Sequence, residues 1–427
     1  MDIKIIHNLF LKCKSIAIDT RKIESESLFV AIKGENHDAN TFAKEALDKG
    51  ASYVIIDNPD YFIDERTVVV KNSLETLQSL AQFHRKYLSI PIIALTGSNG
   101  KTTTKELIHV VLSKKFNTKA TVGNLNNHIG VPLTLLSFDS TTEIGIVEMG
   151  ANHQKEIEFL CEIAQPDFGY ITNFGKAHLE GFGGVEGVIK GKCELYNYLS
   201  KNNKTVFVNC NDNIQVEKSI GIKSFTFGVN KTKADVLIDS ITANPFVEVT
   251  FSNCKIISHL IGLYNSNNIN AAIAIGTYFK IPNEAIKAAI EDFVPDNNRS
   301  QLLNINSNTV ILDAYNANPS SMAVAIDNFL QLDNPKKIAV LGDMFELGAE
   351  SLIEHKNIIS LLLNKKATIY FIGNYFYKNK LKQSNMHFFE TFDSFKETAS
   401  QLKFDNSTIL IKGSRGMALE RFLEYLK

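Results

Sequence analysis

The sequence predicts an α/β protein with three domains, each organised around a β-sheet. Its 427 residues are two to three times the length of an ordinary domain. After about residue 90, short apolar runs alternate with helical patterns, which is typical of parallel sheets with helices on both faces. Three turn-separated apolar runs interrupt this alternation once, and it then resumes. We expect the interruption to separate a central domain from a C-terminal one.

Residues 1–88 are expected to form a small N-terminal α/β domain. Short apolar runs there alternate with helical patterns, and Gly50 ends the first helical pattern. Pro91 then opens a compact apolar run that leads into the next unit, so we place a domain boundary near residue 89. The predicted strands are 27–32, 53–56 and 67–70, and the predicted helices are 41–49 and 73–87.

Residues 89–296 are expected to form a central domain with a parallel sheet and an antiparallel edge. The predicted strands of the parallel part are 92–95, 144–148, 168–172 and 205–209, with helices at about 101–116, 154–164 and 185–199. The predicted antiparallel edge comprises 236–241, 246–251 and 254–260, followed by helices at 267–279 and 283–293.

Residues 297–427 are expected to form a third, doubly wound domain that resembles a Rossmann fold. Its predicted strands are 309–312, 337–341, 367–372 and 408–411, with helical segments between them. A hinge is predicted before it because Pro, Asp and Asn are typical turn residues. The predicted hinge residues are Pro295, Asp296, Asn297 and Asn298.

The composition excludes several classes of protein. The 45 Lys and Arg residues balance 46 Asp and Glu, so the chain lacks the basic field that nucleic-acid binding requires. Its five cysteines are widely spaced without a C-x-x-C pair, which argues against a disulfide framework or a zinc site. No stretch resembles a membrane span, and the first ten residues lack the apolar core of a signal peptide. We therefore expect a soluble cytoplasmic protein.

The strongest functional signal is a glycine-rich segment between a predicted strand and a predicted helix. Its backbone N–H groups would form an anion cradle at the helix N-terminus, with Lys101 reaching the β- and γ-phosphates and the Thr102 hydroxyl binding Mg²⁺. The pattern is the short T-G-x-x-G-K-T form, because Leu95 stands where the longer motif has glycine. The predicted phosphate-binding residues are Thr96, Gly97, Ser98, Asn99, Gly100, Lys101, Thr102 and Thr103.

Two further polar groups follow neighbouring predicted strands. Glu148 ends an apolar strand, and the strand at 168–172 leads to His178. The carboxyl ends of parallel strands face the ligand crevice, so a carboxylate there can coordinate Mg²⁺. A single histidine is more often structural than functional, and His178 alone would carry little weight.

In their type and order, several segments resemble those of the Mur ligases, ATP-dependent enzymes that build the peptide stem of peptidoglycan. The resemblance covers essentially the whole chain, from 19–21 and 28–34 in the first domain to the third. Besides the short P-loop, the similar segments are Gly123-Asn-Leu-Asn-Asn-His-Ile-Gly-Val-Pro132, Glu148-Met-Gly150, Ala177-His-Leu-Glu-Gly-Phe182, Lys192-Cys-Glu194, Asp313-Ala-Tyr-Asn-Ala-Asn-Pro-Ser-Ser-Met322, Leu341-Gly-Asp-Met-Phe-Glu-Leu-Gly348 and Lys412-Gly-Ser-Arg415.

The resemblance implies a reaction. The C-terminal segments are most similar to the branch that adds D-alanyl-D-alanine to UDP-N-acetylmuramoyl-tripeptide. The tripeptide carboxylate would attack the γ-phosphate of ATP, and the dipeptide amine would displace phosphate from the resulting acyl phosphate. The expected cofactors are ATP and two Mg²⁺ ions, and the protein is expected to act as a monomer. The implied catalytic and metal-binding residues are Lys101, Thr102, Glu148, His178 and a carbamylated Lys192.

The resemblance also implies ligand contacts. For the nucleotide these are Asn268 at the adenine, with Arg299 and Asp313 at the phosphates and ribose; for the substrates they are Thr20, Arg21, Asn124, Asn126, Asn127, Tyr315, Asn316 and Asn318. Tyr264 stands where the family usually has histidine, and 34–42 lacks the family's D-G-H. The contacts near the nucleotide base and those to the uridine diphosphate are therefore expected to differ from the contacts usual in the family. Turn chemistry explains the residues of 315–319 almost equally well.

Some alternatives stay open. From spacing alone, Lys190 and Lys192 are solvated helix charges, and only the resemblance favours Lys192 as a carbamate. A sister amide ligase, which adds the third amino acid or extends folate with glutamate, is the second interpretation. A P-loop regulatory protein without chemistry is the third, although it would not need Glu148, His178 and Lys192 together.

Overall fold

The protein, described here by a computed structural model covering residues 2–296 and 298–426, contains three sheets formed by separate stretches of the chain. Their strands fall within 15–69, 92–261 and 301–412. Asn297, a residue of the predicted hinge, lies outside the described residues, as do Met1 and Lys427. Within those described ranges, no helix combines the length and the hydrophobicity that crossing a bilayer requires.

The first sheet is small and entirely parallel. Its strands are β1 (Ser15–Ala17), β2 (Ser27–Val30), β3 (Ala51–Ile56) and β4 (Thr67–Val69), in that order across the sheet, and its helices are α1 (Ile3–Phe10), α2 (Ala43–Asp48) and α3 (Ser73–Leu88). The side chain of Asn72 caps α3 by accepting from Glu75 N, and Leu77 and Leu80 are buried on its inner face. The helix ends at Ser89, whose φ of 52° is left-handed.

Within the described residues, the second sheet has nine strands, and the P-loop follows a strand that is third from one edge. They are β5 (Ile92–Thr96), β6 (Thr118–Ala120), β7 (Ile144–Glu148), β8 (Phe168–Ile171), β9 (Thr205–Asn209), β10 (Ser224–Val229), β11 (Val236–Ala243), β12 (Phe246–Phe251) and β13 (Cys254–Ile261). Their order is β13-β12-β11-β10-β9-β8-β5-β7-β6. The predicted antiparallel edge is present, because β12 pairs antiparallel with both β11 and β13.

Helices cover both faces of this sheet, and the side chains of β5 point alternately into the two buried clusters between the sheet and these helices. Ile93 and Leu95 belong to one buried cluster, whereas Ile92 and Ala94 belong to the other. The helices are α4 (Lys101–Leu112), α5 (Gly130–Leu136), α6 (Glu156–Ala164), α7 (Leu179–Phe182), α8 (Val185–Lys201), α9 (Asn213–Lys218), α10 (Ser266–Tyr278) and α11 (Asn283–Glu291). The parallel strands β5, β7 and β8 are neighbours, so the loops that follow them open at one edge.

In the described part of the chain, the third sheet has six strands: β14 (Gln301–Ile305), β15 (Asn308–Asp313), β16 (Lys337–Gly342), β17 (Thr368–Ile372), β18 (Met386–Phe389) and β19 (Thr408–Lys412). Their order is β14-β15-β19-β16-β17-β18, and only β14 is antiparallel to its neighbour. The helices are α12 (Pro319–Gln331), α13 (Ser351–Leu362), α14 (Asn374–Lys378) and α15 (Phe392–Ala399). The predicted doubly wound α/β class is confirmed.

Candidate active site

The glycine-rich segment links β5 to α4, as its sequence predicts. Gly97 has a φ of +145°, and a Cβ built there would lie 2.0 Å from Thr172 Oγ1. Gly100 precedes α4 with a φ of +78°, and a Cβ there would lie 2.5 Å from Asn268 Oδ1. Both positions therefore require glycine. The turn leaves the first N–H groups of α4 at the sheet edge, where a helix N-terminus favours phosphate.

Lys101 provides a cation at this turn. Its Nζ donates to Gly97 O at 2.8 Å, so the side chain folds back over the loop. Burial lowers the pKa of Lys101, nearby Glu148 opposes this shift, and Arg299 adds to it. Because burial disfavours the charged form of an amine, an incoming phosphate would stabilise the ammonium form of Lys101.

Glu148 lies at the end of β7 and is 1 % exposed. Its carboxylate accepts from Thr102 Oγ1 at 2.9 Å and from Asn126 Nδ2 at 2.8 Å. A carboxylate and a hydroxyl in contact at a phosphate-binding turn form a donor set that suits Mg²⁺, which usually keeps several water or phosphate oxygens. The described residues contain no group of three or more His, Cys, Asp or Glu side chains placed to hold a metal ion.

His178 follows β8, where the sequence places it, and immediately precedes α7 with a left-handed φ of 52°. Its Nδ1 is in close contact with Glu346 Oε2, which comes from the loop after β16 in the third unit. Glu346 is not among the predicted site residues, although it lies within the segment 341–348 that carries the family resemblance. No local pattern indicates that this loop reaches α7.

Lys192 is buried on α8, whereas Lys190 is exposed. The expectation from spacing, two solvated charges, is therefore wrong for Lys192. Its Nζ donates to Ala151 O at 3.3 Å and lies 4.9 Å from the centre of the Phe182 ring. Burial and, to a lesser extent, Lys101 hold the pKa of Lys192 well below its usual range. A buried amine with a lowered pKa is favoured in its neutral, nucleophilic form.

The third unit brings charged side chains to the same cleft. Asp313 ends β15 and pairs with Lys412 Nζ at 2.5 Å, and its Oδ1 accepts from Ser300 N at 3.2 Å. The guanidinium of Arg299 lies 3.6 Å from the centre of the Tyr315 ring. Its Nε is buried and meets no hydrogen-bond partner among the described residues. Arg299 is thus a cation with an unused donor, which suits an anionic ligand.

Contacts between loops join the second and third units. Asn318 Nδ2 donates to Asn99 Oδ1 in the P-loop at 2.7 Å. Lys176 N donates to Ser320 Oγ at 2.9 Å, and Lys176 Nζ pairs with Glu354 at 2.6 Å. The P-loop and the loop after β8 therefore both contact the third unit. These contacts enclose the space between the two units.

The asparagines of the site have different surroundings. Asn268 is buried, accepts from Thr104 Oγ1 at 3.0 Å and donates to Asn265 Oδ1 at 2.8 Å. Asn127 accepts from the first backbone N–H groups of α5, which gives it a local structural task. Tyr264, the departure from the family pattern, lies in the turn between β13 and α10. Its hydroxyl hydrogen-bonds with Ser300 Oγ at 2.7 Å and so connects this turn to the start of the third unit.

A single cleft of about 1280 Å³ collects most of the predicted residues. The predicted residues that line it are Ser98, Asn99, Gly100, Lys101, Thr102, Thr103, Asn124, Asn126, Asn127, Glu148, His178, Asn268, Arg299, Asp313, Tyr315, Asn316 and Asn318. Thr96, Gly97 and Lys192 lie outside its lining. Thr20 and Arg21 belong to the first sheet unit, where Arg21 pairs with Asp19 at 2.7 Å and is exposed.

The fold and this cleft define a P-loop nucleotide-binding enzyme whose site is shared between two α/β units. Residues 95–276 match the Mur ligase middle domain, and residues 298–415 match the Mur ligase, glutamate ligase domain. The chain belongs to the Mur ligase family. It is 34 % identical to the UDP-N-acetylmuramoyl-tripeptide--D-alanyl-D-alanine ligase of Bacillus subtilis (strain 168), over 96 % of this chain and 92 % of that protein.

Solved structures give the same result. A crystal structure of MurF from Acinetobacter baumannii is similar with a TM-score of 0.86 and 30 % identity, over 97 % of this chain and 93 % of that chain. MurF ligase from Thermotoga maritima, solved in complex with ADP, has a TM-score of 0.81 and 26 % identity over 98 % of this chain and 97 % of that chain. The expected resemblance is therefore confirmed.

Proposed function

We propose that this protein joins D-alanyl-D-alanine to UDP-N-acetylmuramoyl-tripeptide and converts ATP to ADP and phosphate. The Bacillus subtilis relative carries this activity in its name, and it matches the chain over nearly its full length. The observation that supports it most directly is the shared cleft. There the P-loop and Glu148 face Arg299 and Asp313 of the third unit, so a phosphate donor and an acceptor can meet.

In the first step, a carboxylate oxygen of the tripeptide attacks the γ-phosphorus of ATP, and the bond to ADP breaks. Two anions must approach each other, so their repulsion has to be offset locally. Lys101 and the N–H groups at the start of α4 hold the β- and γ-phosphates. Arg299, whose Nε has no protein partner in the described chain, supplies a second cation at the phosphates.

In the second step, the neutral amine of D-alanyl-D-alanine attacks the acyl carbon and the bond to phosphate breaks. The nitrogen gives one proton to the departing phosphate or to water and keeps the other as the amide N–H. Tyr315, Asn316 and Asn318 line the cleft on the third unit, and we assign them to the dipeptide and the acyl phosphate. Asn318 also contacts the P-loop residue Asn99. The incoming amine would therefore be held by the unit that closes over the nucleotide.

Magnesium, when bound, would neutralise phosphate charge and polarise the γ-phosphoryl group. Thr102 and Glu148 would hold one ion through their contacting oxygens. His178 would hold a second, together with Lys192 once CO₂ has added to its Nζ. The neutral amine attacks the carbon of CO₂, loses a proton, and becomes an anionic carbamate, which attracts a cation that the ammonium form would repel. The lowered pKa of buried Lys192 supports this assignment.

We assign one task to each unit. Residues 1–88 would bind the uridine-linked end of the substrate, with Thr20 and Arg21 at the diphosphate. Residues 89–296 would bind ATP and metal, with Asn268 near the adenine, and residues 297–427 would supply the dipeptide site. Asn124, Asn126 and Asn127 would contact the substrate at the cleft edge. We expect a cytoplasmic monomer, since one chain provides both sides of the cleft, and gel filtration tests the oligomeric state.

The test is ADP release by the purified full chain. We expect release that requires UDP-N-acetylmuramoyl-tripeptide, D-alanyl-D-alanine and Mg²⁺ together, with Lys101→Met as an inactive control. Equal ATP turnover without either substrate, or amide formation with a single amino acid, would contradict the proposal. Comparing tripeptides that contain diaminopimelate or lysine then identifies the third residue of the acceptor.

A further inference from the structure

The backbone is strained where the chain enters the third unit. Asn298 and Ser300 both have a left-handed φ, of 53° and 50°, and Arg299 lies between them. A residue with a Cβ avoids this conformation unless contacts with its surroundings compensate for the strain. Asparagine tolerates the conformation better than serine does, so the contacts of Ser300 matter most.

Hydrogen bonds from two units hold this segment. Ser300 N donates to Asp313 Oδ1 at 3.2 Å, and Tyr315 N donates to Asn298 O at 3.2 Å, both within the third unit. The second unit contributes the Tyr264 hydroxyl, which hydrogen-bonds with Ser300 Oγ at 2.7 Å. The left-handed conformation of Ser300 is therefore supported from both sides of the junction.

Tyr264 is itself held firmly in the second unit. A Cβ at Gly262 would collide with the Tyr264 ring, so glycine lets the ring approach the backbone closely. The adjacent Asn265 accepts from Asn268 Nδ2 at 2.8 Å. Burial raises the pKa of the Tyr264 hydroxyl, and the charge of nearby Asp313 adds to this rise, so the hydroxyl stays protonated at neutral pH.

Arg299 is the side chain whose direction this backbone sets. Its guanidinium lies 3.6 Å from the centre of the Tyr315 ring, and its buried Nε meets no hydrogen-bond partner in the described ranges. Arg299, Ser300 and Tyr264 all line the cleft. A change of backbone conformation at Ser300 would turn the residue before it, so the contact that fixes Ser300 also fixes the direction of the guanidinium.

We propose that Tyr264 is a positioning residue, which holds the left-handed backbone at Ser300 and thereby directs Arg299 towards the phosphates of the bound nucleotide. The inference rests on the proposed function for the place of these phosphates, but nucleotide binding can be measured without the acceptor. It gives a task to the residue that departs from the family pattern. The second unit thus orients a cation that belongs to the start of the third.

The first experiment measures ATP binding to the full-length protein by calorimetry, with Mg²⁺ and without acceptor or dipeptide. Tyr264→Phe keeps the ring and removes the hydroxyl, and the Kd for ATP should rise about three- to tenfold, the usual effect of losing one hydrogen bond. The matched control is Tyr278→Phe, which removes a hydroxyl of α10 outside the cleft lining and should leave the Kd unchanged. An unchanged Kd in Tyr264→Phe overturns the proposal.

The second experiment is a pair of double-mutant cycles on the same Kd. In the Ser300→Ala and Arg299→Met backgrounds, Tyr264→Phe should cause less than about twofold further loss, because the route through which it acts is already broken. The P-loop still holds ATP in both backgrounds, so binding stays measurable. A further loss as large as in the wild type would show that Tyr264 supports the nucleotide by another route and would contradict the proposal.

The third measurement is acceptor-dependent ADP release. Tyr264→Phe should raise the KM for ATP by the factor found for its Kd and leave the KM for UDP-N-acetylmuramoyl-tripeptide within about twofold, whereas a general loss of structure would raise both and contradict the proposal. If the wild type forms no amide while Tyr264→Phe weakens ATP binding, only the proposed function fails. If amide forms and ATP binding ignores Tyr264→Phe, only this inference fails.

Discussion

The close approach of the P-loop to Asn268 gives a prediction whose magnitude follows from the structure. Replacing Gly100 by alanine puts a Cβ 2.5 Å from Asn268 Oδ1 in a backbone with φ of +78°. Gly221 offers a matched control in the same sheet unit. Its φ is +80°, and a Cβ there meets no atom of the described chain beyond its own neighbours within 4 Å. The two variants share the backbone strain, and only Gly100→Ala adds the steric conflict.

We expect Gly221→Ala to lower the free energy of unfolding by about 1 kcal/mol, the cost of a non-glycine residue in a left-handed conformation. Gly100→Ala should cost the same amount and, in addition, displace the side chain of Asn268. That side chain holds one hydrogen bond to Thr104 and one to Asn265. At about 1 kcal/mol for each hydrogen bond, the total loss is about 3 kcal/mol.

The measurement is native-state hydrogen exchange of the slowest amides in β5 and β8, which report unfolding of the central sheet. The expected difference between the variants, about 2 kcal/mol, corresponds to roughly 30-fold faster exchange in Gly100→Ala than in Gly221→Ala. If the amide exchange rates of the two variants agree within about twofold, the Asn268 side chain moves aside without loss of stability. The structural reason given for glycine at position 100 would then be wrong.

Three further outcomes are expected. Lys192→Ala should lower kcat by about 100-fold or more, and added short-chain carboxylic acids should partly restore it by supplying the missing carboxylate; full activity without them would place the carbamate elsewhere. Lys176→Met should leave buried Glu354 unpaired and weaken the contact between the second and third units. The acceptor KM should rise about tenfold, and the radius of gyration measured by X-ray scattering should increase. An unchanged KM would mean that this ion pair does not hold the units together. Burial and the neighbouring His84 lower the pKa of His7 to about 4, so the unfolded chain binds the extra proton between pH 6.5 and 4. The free energy of unfolding should fall as pH falls through that window, by at most about 1.4 kcal/mol per pH unit for this proton, and acid unfolding of His7→Phe should depend less on pH.

The sequence predicts strands where burial leaves a continuous apolar run. Ile92–Thr96 and Ile144–Glu148 are buried along their whole length, and their predicted bounds differ from the observed ones by at most one residue. Short or half-exposed strands leave no such run. Thr118–Ala120 has three residues, and Gln301–Ile305 contains Gln and Asn and has no fully buried residue. Both were missed because pairing with a neighbour, rather than their own hydrophobicity, makes them strands.

The same distinction applies to the site. Glu148 could be selected because it ends a strand of the parallel part, a position that the chain order alone reveals, whereas only the family resemblance gave His178 a role. Glu346 and Lys176 could not, because their contacts join units that are far apart in sequence. Burial separated Lys192 from Lys190, and the side-chain spacing on the helix does not contain that information.

The contacts of the third unit also constrain how this family can be recombined. Asn99, Lys176 and His178 lie on two neighbouring loops of the central sheet, and each meets a side chain of the third unit. A chimera that carries the third unit of another Mur ligase must offer a donor opposite Asn99 and a carboxylate opposite each of the other two. Such a graft could import a new amine specificity and still engage the original ATP site, provided that these three positions are transferred with it.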